Sequence, residues 1–143
     1  MASWIGLDYG ARRIGVAVSD PTETLASTLT THRTPDDGSF FAWLRSVIAD
    51  RGATGIVLGL PLEEAGVEGA AAERVRDFAR RLEAATGLPV LFEDERYSSR
   101  EATARLREGG SRRPREAIDA AAAAIILQQF LDRRRAGRPE ERR

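Results

Sequence analysis

The stretch "GLDYGARRIGVAVSD", residues 6–20, contains two short apolar runs joined by a turn at Gly10. Both runs are short, rich in β-branched residues and punctuated by glycine, which predicts two antiparallel strands. The first run ends on a carboxylate, Asp8, and two arginines, Arg12 and Arg13, lie at the start of the second. An acid at the end of a core strand is either a turn residue or a functional carboxylate, because open α/β folds place their sites at strand ends.

Beyond residue 20 the chain continues with one more strand and then alternates helices with strands. The order of elements predicts an α/β fold in which a mixed sheet carries helices on both sides. Residues 1–135 are expected to form one domain, followed by a disordered tail over 136–143. The predicted elements are an edge-like strand in 25–33, a helix over 36–52, a buried strand over 54–61, a helix over 72–87, a strand over 88–95, a helix that begins near Ser98 and a last helix over 114–135.

Composition limits the classes of function. The chain has 143 residues, a formal net charge of zero and no cysteine, which excludes disulfides, a thiolate metal site and a cysteine nucleophile. All of its basic residues except His32 are arginines. The N-terminal segment does not resemble a signal peptide and no apolar run is long enough to span a bilayer, so we expect a cytoplasmic protein without a membrane partner.

Three carboxylates occupy positions where apolar residues would cost less free energy. Asp8 ends the first strand, Glu95 ends the last, and Asp119 is the only polar residue from Ala117 to Leu127 in the most apolar helix. A buried, uncompensated carboxylate costs several kcal/mol, and the helix dipole returns only about 0.3–1 kcal/mol.

Each acid, taken alone, has a structural explanation. Asp8 can be a turn or cap residue, the acids of "EDER" can open a solvated loop, and Asp119 can pair with an arginine nearby in sequence: Arg112, Arg113 or Arg115. Taken together, three such carboxylates favour a site for hard cations, Mg²⁺ or Mn²⁺. Two ions about 3.5–4 Å apart can activate water and stabilise the leaving oxygen of a phosphodiester.

Four blocks, "GLDYGARRIGVAVSD", "GIVLGLP", "DERYSSREA" and "IDAAAAAIILQ", resemble in order and spacing those of the RuvX (YqgF) family. Its members are RNase H-like nucleases, proposed to resolve Holliday junctions and to trim the 5′ end of pre-16S ribosomal RNA. The resemblance implies an RNase H-like fold with a five-stranded mixed sheet flanked by helices. It also implies that Asp8, Glu95 and Asp119 are the catalytic metal ligands, although the register of the last strand leaves Glu93 and Asp94 open as replacements for Glu95.

The leading hypothesis is therefore a divalent-metal-dependent nuclease that acts on structured RNA or branched DNA, as a monomer or a homodimer. Two alternatives remain: a non-catalytic nucleic-acid-binding or ribosome-assembly module, and an actin-like nucleotide phosphotransferase, suggested by the Asp-x-Gly sequence at Asp8. Arginines near the acids in sequence are expected to contact substrate phosphates. The predicted substrate-binding residues are Arg12, Arg13, Arg96, Arg100, Arg112 and Arg113.

Overall fold

The computed structural model describes residues 3–10, 12–33, 37–61, 68–94 and 115–137. Within these ranges the elements follow the predicted order. The helix predicted from Ser98 and residues 138–143 of the predicted tail lie outside the described residues. The strands are β1 (Ser3–Tyr9), β2 (Arg13–Ser19), β3 (Ala26–Arg33), β4 (Ala53–Leu60) and β5 (Val90–Asp94), and the helices are α1 (Asp37–Arg51), α2 (Ala70–Thr86) and α3 (Arg115–Ala136).

The five strands form one mixed sheet in the order β3-β2-β1-β4-β5. The first three strands are antiparallel neighbours, whereas β1, β4 and β5 run parallel to one another. This arrangement confirms the predicted five-stranded mixed sheet, and β3 lies at its edge as expected. The carboxyl ends of β1, β4 and β5 therefore meet at the same edge of the sheet, where open α/β folds place their sites.

One face of the sheet is covered by α1 and α2. The alternation of side chains along β1 directs Ile5 and Leu7 to this face, where they share a core with Phe40 and Leu44 of α1 and Phe78 of α2. Both helices end on glycine in the left-handed region, Gly52 with φ 64° and Gly87 with φ 73°. A residue without a Cβ adopts this conformation at no steric cost, so the predicted helix ends are confirmed.

Of the described helices, α3 covers the other face of the sheet. Trp4 of β1 and Val57 of β4 pack there against Ile126 and Leu127, in a second buried cluster. Gly6 lets the helix approach, because a Cβ at that position would lie only 2.7 Å from the Cβ of Leu127. The alanine-rich sequence of α3 is therefore explained by close packing of this helix on the sheet. In the described part of the chain, no helix is long and apolar enough to cross a membrane.

Polar contacts fix the C-terminal half of α3 to the two edge strands of the sheet, β3 and β5. Gln128 accepts a hydrogen bond from the backbone N–H of Ala26 at 2.8 Å, at the start of β3. At the opposite edge, the carboxylate of Glu93 in β5 accepts a hydrogen bond from Gln129 at 2.8 Å and pairs with Arg133. Glu93 is only 3% exposed, so this cluster anchors α3 to β5 beneath the surface.

Candidate active site

Asp8 lies on the face of β1 that α3 covers. Strand alternation places it in line with Trp4 and Gly6, whose positions touch the helix. It is the sixth residue of the seven-residue strand and is less buried than the five residues before it. The sequence prediction of a carboxylate at the end of a core strand is thus confirmed, and its position is beside the N-terminal half of α3.

Gly15 brings the beginning of α3 against the same region. It pairs directly with Asp8 in the antiparallel ladder between β1 and β2. A Cβ at Gly15 would lie 2.0 Å from the backbone carbonyl oxygen of Asp119, closer than any real Cβ contact. Because directly paired residues have Cα atoms about 4.5–5.5 Å apart, the backbones of Asp8 and Asp119 lie within about 10 Å of each other.

The side chain of Asp119 forms an ion pair across this contact. Nε of Arg13 donates a hydrogen bond to Oδ2 of Asp119 at 2.6 Å, and the two side chains are only 20% and 13% exposed. Arg13 begins β2 and Asp119 is the fifth residue of α3, so residues 106 positions apart in sequence meet here. The predicted partners of Asp119 were arginines near it in sequence, and Arg13 is an additional partner from a different element.

The Arg13–Asp119 pair was not predicted from the sequence, although one signal indicated a close contact on this face of β2. Arg13, Gly15 and Ala17 alternate on one face of β2, and a glycine inside a strand often marks the close approach of another backbone. The contact at Gly15 is such an approach, and Arg13 extends from the same face toward the helix that makes it.

The remaining predicted site residues are only partly placed. Arg12 is exposed, in the turn before β2. Neither alternative to Glu95 is placed to share a metal ion with Asp119: Glu93 is held by Gln129, about 15 Å along α3 from Asp119, and Asp94 alternates onto the α1–α2 face with Phe92. The predicted residues that lie outside the described part of the chain are Glu95, Arg96, Arg100, Arg112 and Arg113.

The donor groups of Asp8 and Asp119 suit a hard cation such as Mg²⁺ or Mn²⁺, which prefers carboxylate oxygen. Within residues 3–10, 12–33, 37–61, 68–94 and 115–137, no three Asp, Glu, His or Cys side chains form a group that could hold a metal. That Asp8, Asp119 and Glu95 hold a metal ion together stays a prediction.

Comparison with known proteins decides the family. The RuvX family model, described as Holliday junction resolvase, matches residues 2–133. The chain belongs to the RuvX family. A relative from Anaeromyxobacter dehalogenans, named "Putative pre-16S rRNA nuclease", is 46% identical over 132 residues, which cover 91% of this chain and 96% of the relative. A protein of the same name from Koribacter versatilis is 43% identical over 138 residues and covers 95% of this chain and 90% of its own.

A solved structure shares the architecture of this RuvX family member. RuvC of T. thermophilus, in complex with a Holliday junction substrate, superposes with a TM-score of 0.58 over 94% of this chain and 96% of its own. At 18% identity this likeness concerns the fold alone. It confirms the predicted RNase H-like arrangement of a five-stranded mixed sheet with helices on both faces.

Proposed function

We propose that this protein is a divalent-metal-dependent nuclease whose Asp8, Glu95 and Asp119 hold Mg²⁺ or Mn²⁺ at the edge of the sheet. The observation that carries the proposal is the contact at Gly15, which brings α3 and its Asp119 beside Asp8. Membership of the RuvX family supports the reaction type, the hydrolysis of phosphodiester bonds. The donor chemistry of the two carboxylates supports the type of ion.

Bound divalent ions would supply an activated water and charge stabilisation for the leaving oxygen. The protein's own contribution is to hold the carboxylates at a fixed separation on two rigid elements. Asp8 is fixed by the β1–β2 ladder, and Asp119 is fixed by the packing of its helix turn on Gly15. Arg12 lies in the turn between β1 and β2 and Arg13 at the start of β2, where a guanidinium can take a substrate phosphate in bidentate fashion.

We infer that the substrate is a ribosomal RNA precursor, because relatives at 43–46% identity carry the pre-16S rRNA nuclease name. A precursor of this kind is a cytoplasmic substrate, so we expect the protein to act in the cytoplasm. Branched DNA is the competing substrate, and it is favoured by the Holliday junction resolvase description of the family. The likeness to RuvC does not decide between them, since it concerns the fold.

The test is a cleavage assay with Mg²⁺ or Mn²⁺ on labelled 5′-extended 16S precursor RNA, single-stranded RNA, duplexes and four-way junctions. We expect cleavage of the precursor, and a loss of more than about 100-fold in Asp8→Asn and in Asp119→Asn. The size follows from the several kcal/mol by which a bound ion stabilises a phosphoryl-transfer transition state.

Asp132→Asn is the matched control, because Asp132 is an exposed acid of the same helix, paired with Arg135 and about 20 Å from Asp119. It should cleave like the wild type. Cleavage of four-way junctions alone would assign the protein to branched DNA. Binding without cleavage under every metal would instead indicate the non-catalytic module, and turnover of ATP would indicate the phosphotransferase.

A further inference from the structure

Arg13 contacts one carboxylate of the proposed metal centre, that of Asp119, and lies near a second, that of Asp8. Its Nε donates to Oδ2 of Asp119 at 2.6 Å, so it occupies one oxygen of a predicted metal ligand. On the shared face of the β1–β2 ladder it is also the diagonal neighbour of Asp8, about 7–8 Å away and within reach of a long side chain. The guanidinium of Arg13 thus binds one of the two carboxylates that are expected to hold the metal, and Arg13 is a diagonal neighbour of the other on the sheet.

A guanidinium and a divalent ion make conflicting demands on the same carboxylate. A Mg²⁺ ligand oxygen lies about 2.0–2.1 Å from the ion, and Oδ2 already accepts a charge-assisted hydrogen bond at 2.6 Å. The pair is largely shielded from water, with side-chain exposures of 20% and 13%, so repulsion between the two cations is weakly screened. Occupation of Asp119 by one cation therefore disfavours the other.

We propose that Arg13 competes with the divalent ion for Asp119 and that, once displaced, it binds the substrate phosphate. This inference rests on the proposed nuclease function and adds an order of events to it. Arg13 neutralises Asp119 before a metal ion binds, which lets the apolar helix tolerate its acid. After the metal ion takes the carboxylate, the planar fork of Arg13 is available for a phosphate oxygen pair.

The competition couples metal binding to nucleic-acid binding. Because a bound metal ion releases Arg13 from Asp119, the metal should raise the affinity of the protein for nucleic acid. By linkage, bound nucleic acid should raise the affinity of the protein for the metal by the same factor. Part of this coupling comes from direct attraction between metal and phosphate and does not need Arg13. The part that depends on Arg13 should disappear when its guanidinium is removed.

The first experiment measures Mn²⁺ affinity without nucleic acid, by titration calorimetry and by the EPR signal of free Mn²⁺. We expect Arg13→Gln to bind Mn²⁺ about fivefold more tightly than wild type, the factor that corresponds to a pair worth about 1 kcal/mol. Arg12→Gln removes the same charge from the exposed turn residue that precedes Arg13 and, in this assay without nucleic acid, should change the Mn²⁺ affinity by less than about twofold. Arg13→Met, which keeps the apolar stem, serves if the Gln variant does not fold.

The second experiment measures binding of a phosphorothioate oligonucleotide that resists cleavage, with Ca²⁺ and with EDTA. Wild type should gain more affinity from Ca²⁺ than Arg13→Gln does, by about the same fivefold factor. The competition is overturned if Arg13→Gln binds Mn²⁺ with unchanged or lower affinity. A lower affinity would mean that Arg13 instead orients Asp119 as a ligand, since removing such a partner weakens metal sites about 10–100-fold.

These results separate the inference from the proposed function. If the wild type binds Mn²⁺ and cleaves RNA, and Arg13→Gln binds Mn²⁺ with unchanged affinity, the competition is overturned and the proposed nuclease function stands. If Mn²⁺ still binds to the Asp8→Asn and Asp119→Asn variants as it does to wild type, the proposed metal centre is overturned, and the proposed competition is overturned with it.

Discussion

Replacing Gly15 by alanine tests whether the contact between β2 and α3 sets the geometry of the site. The added Cβ would lie 2.0 Å from the carbonyl oxygen of Asp119 and 2.4 Å from its carbonyl carbon. Both are backbone atoms in the second turn of a helix, so no side-chain rotation relieves the overlap. The helix must move away from the sheet by about 1 Å before the Cβ reaches even the shortest contacts that real proteins show.

The magnitude follows from two opposing effects. In the unfolded chain, Gly→Ala removes conformational freedom, which by itself would stabilise the fold by about 0.4–1 kcal/mol. Overpacking against a rigid neighbour costs about 1–3 kcal/mol and sometimes more, and a gap of 0.5–1 Å forfeits a quarter to a half of each dispersion contact that α3 makes nearby. Because the neighbour here is backbone, we take the upper end of that cost, about 3 kcal/mol, and subtracting the stabilising effect leaves a net loss of about 2–2.5 kcal/mol in the free energy of unfolding.

Urea denaturation followed by circular dichroism measures this change. With a slope of about 2 kcal/mol/M, the midpoint should fall by about 1–1.25 M in Gly15→Ala. Gly6→Ala is the graded comparison, since its Cβ would meet the side-chain Cβ of Leu127 at 2.7 Å and should cost less. A midpoint for Gly15→Ala equal to or above that of wild type would refute the close contact, because only the unfolded-state effect would then remain.

Two further predictions concern buried and hydrogen-bonded carboxylates. Arg133→Met should lower the free energy of unfolding, measured by urea denaturation, by about 1 kcal/mol more than Glu93→Gln does. The reason is that the side chain of Glu93 is 3% exposed and stays buried without its partner, whereas the side chain of Arg133 is 64% exposed and can be hydrated. Equal losses in the two variants would contradict this asymmetry. Hydrogen bonds from the Thr22 hydroxyl and from two backbone N–H groups lower the pKa of Asp20 to about 2. The stabilisation of the fold by ionised Asp20 is therefore complete above the pKa of this group in the unfolded chain, near 3.8, and is lost as the pH falls through about 2. We expect Asp20→Asn to make the free energy of unfolding less dependent on pH in this window, as measured in a stability–pH profile.

The fold was predictable because its signals are local and periodic. The stripe of Phe40, Leu44 and Ile48 in α1 and the glycine ends of α1 and α2 each follow from rules that act over a few residues. The mixed sheet followed from the order of elements, since two adjacent strands with a short turn must be antiparallel and strands separated by helices are parallel. These rules do not depend on which distant residues meet.

The candidate site was predictable only in its carboxylates. Asp8 and Asp119 stood out because an acid in an apolar run is expensive, and that cost can be read from the sequence. The partner of Asp119 could not be read in the same way, because Arg13 is 106 positions away and reaches it only through the packing of α3 on β2. A prediction based on neighbours in the chain named Arg112, Arg113 and Arg115, whose side chains lie outside the described part of the chain, so those pairings stay predictions.

The position of Asp119 depends on a residue without a side chain more than on any charged one. Gly6 and Gly15 seat α3 at successive points along one stripe of the helix, Leu127 and Ala123 at the first and Asp119 at the second. The helix therefore lies close enough for Asp119 to reach β2, where Arg13 compensates the charge. Larger residues at these two positions would leave Asp8 and Asp119 chemically intact but too far apart to act together. The spacing of the proposed metal ligands is thus a consequence of core packing, and variation at Gly15 should alter activity even though Gly15 carries no functional group.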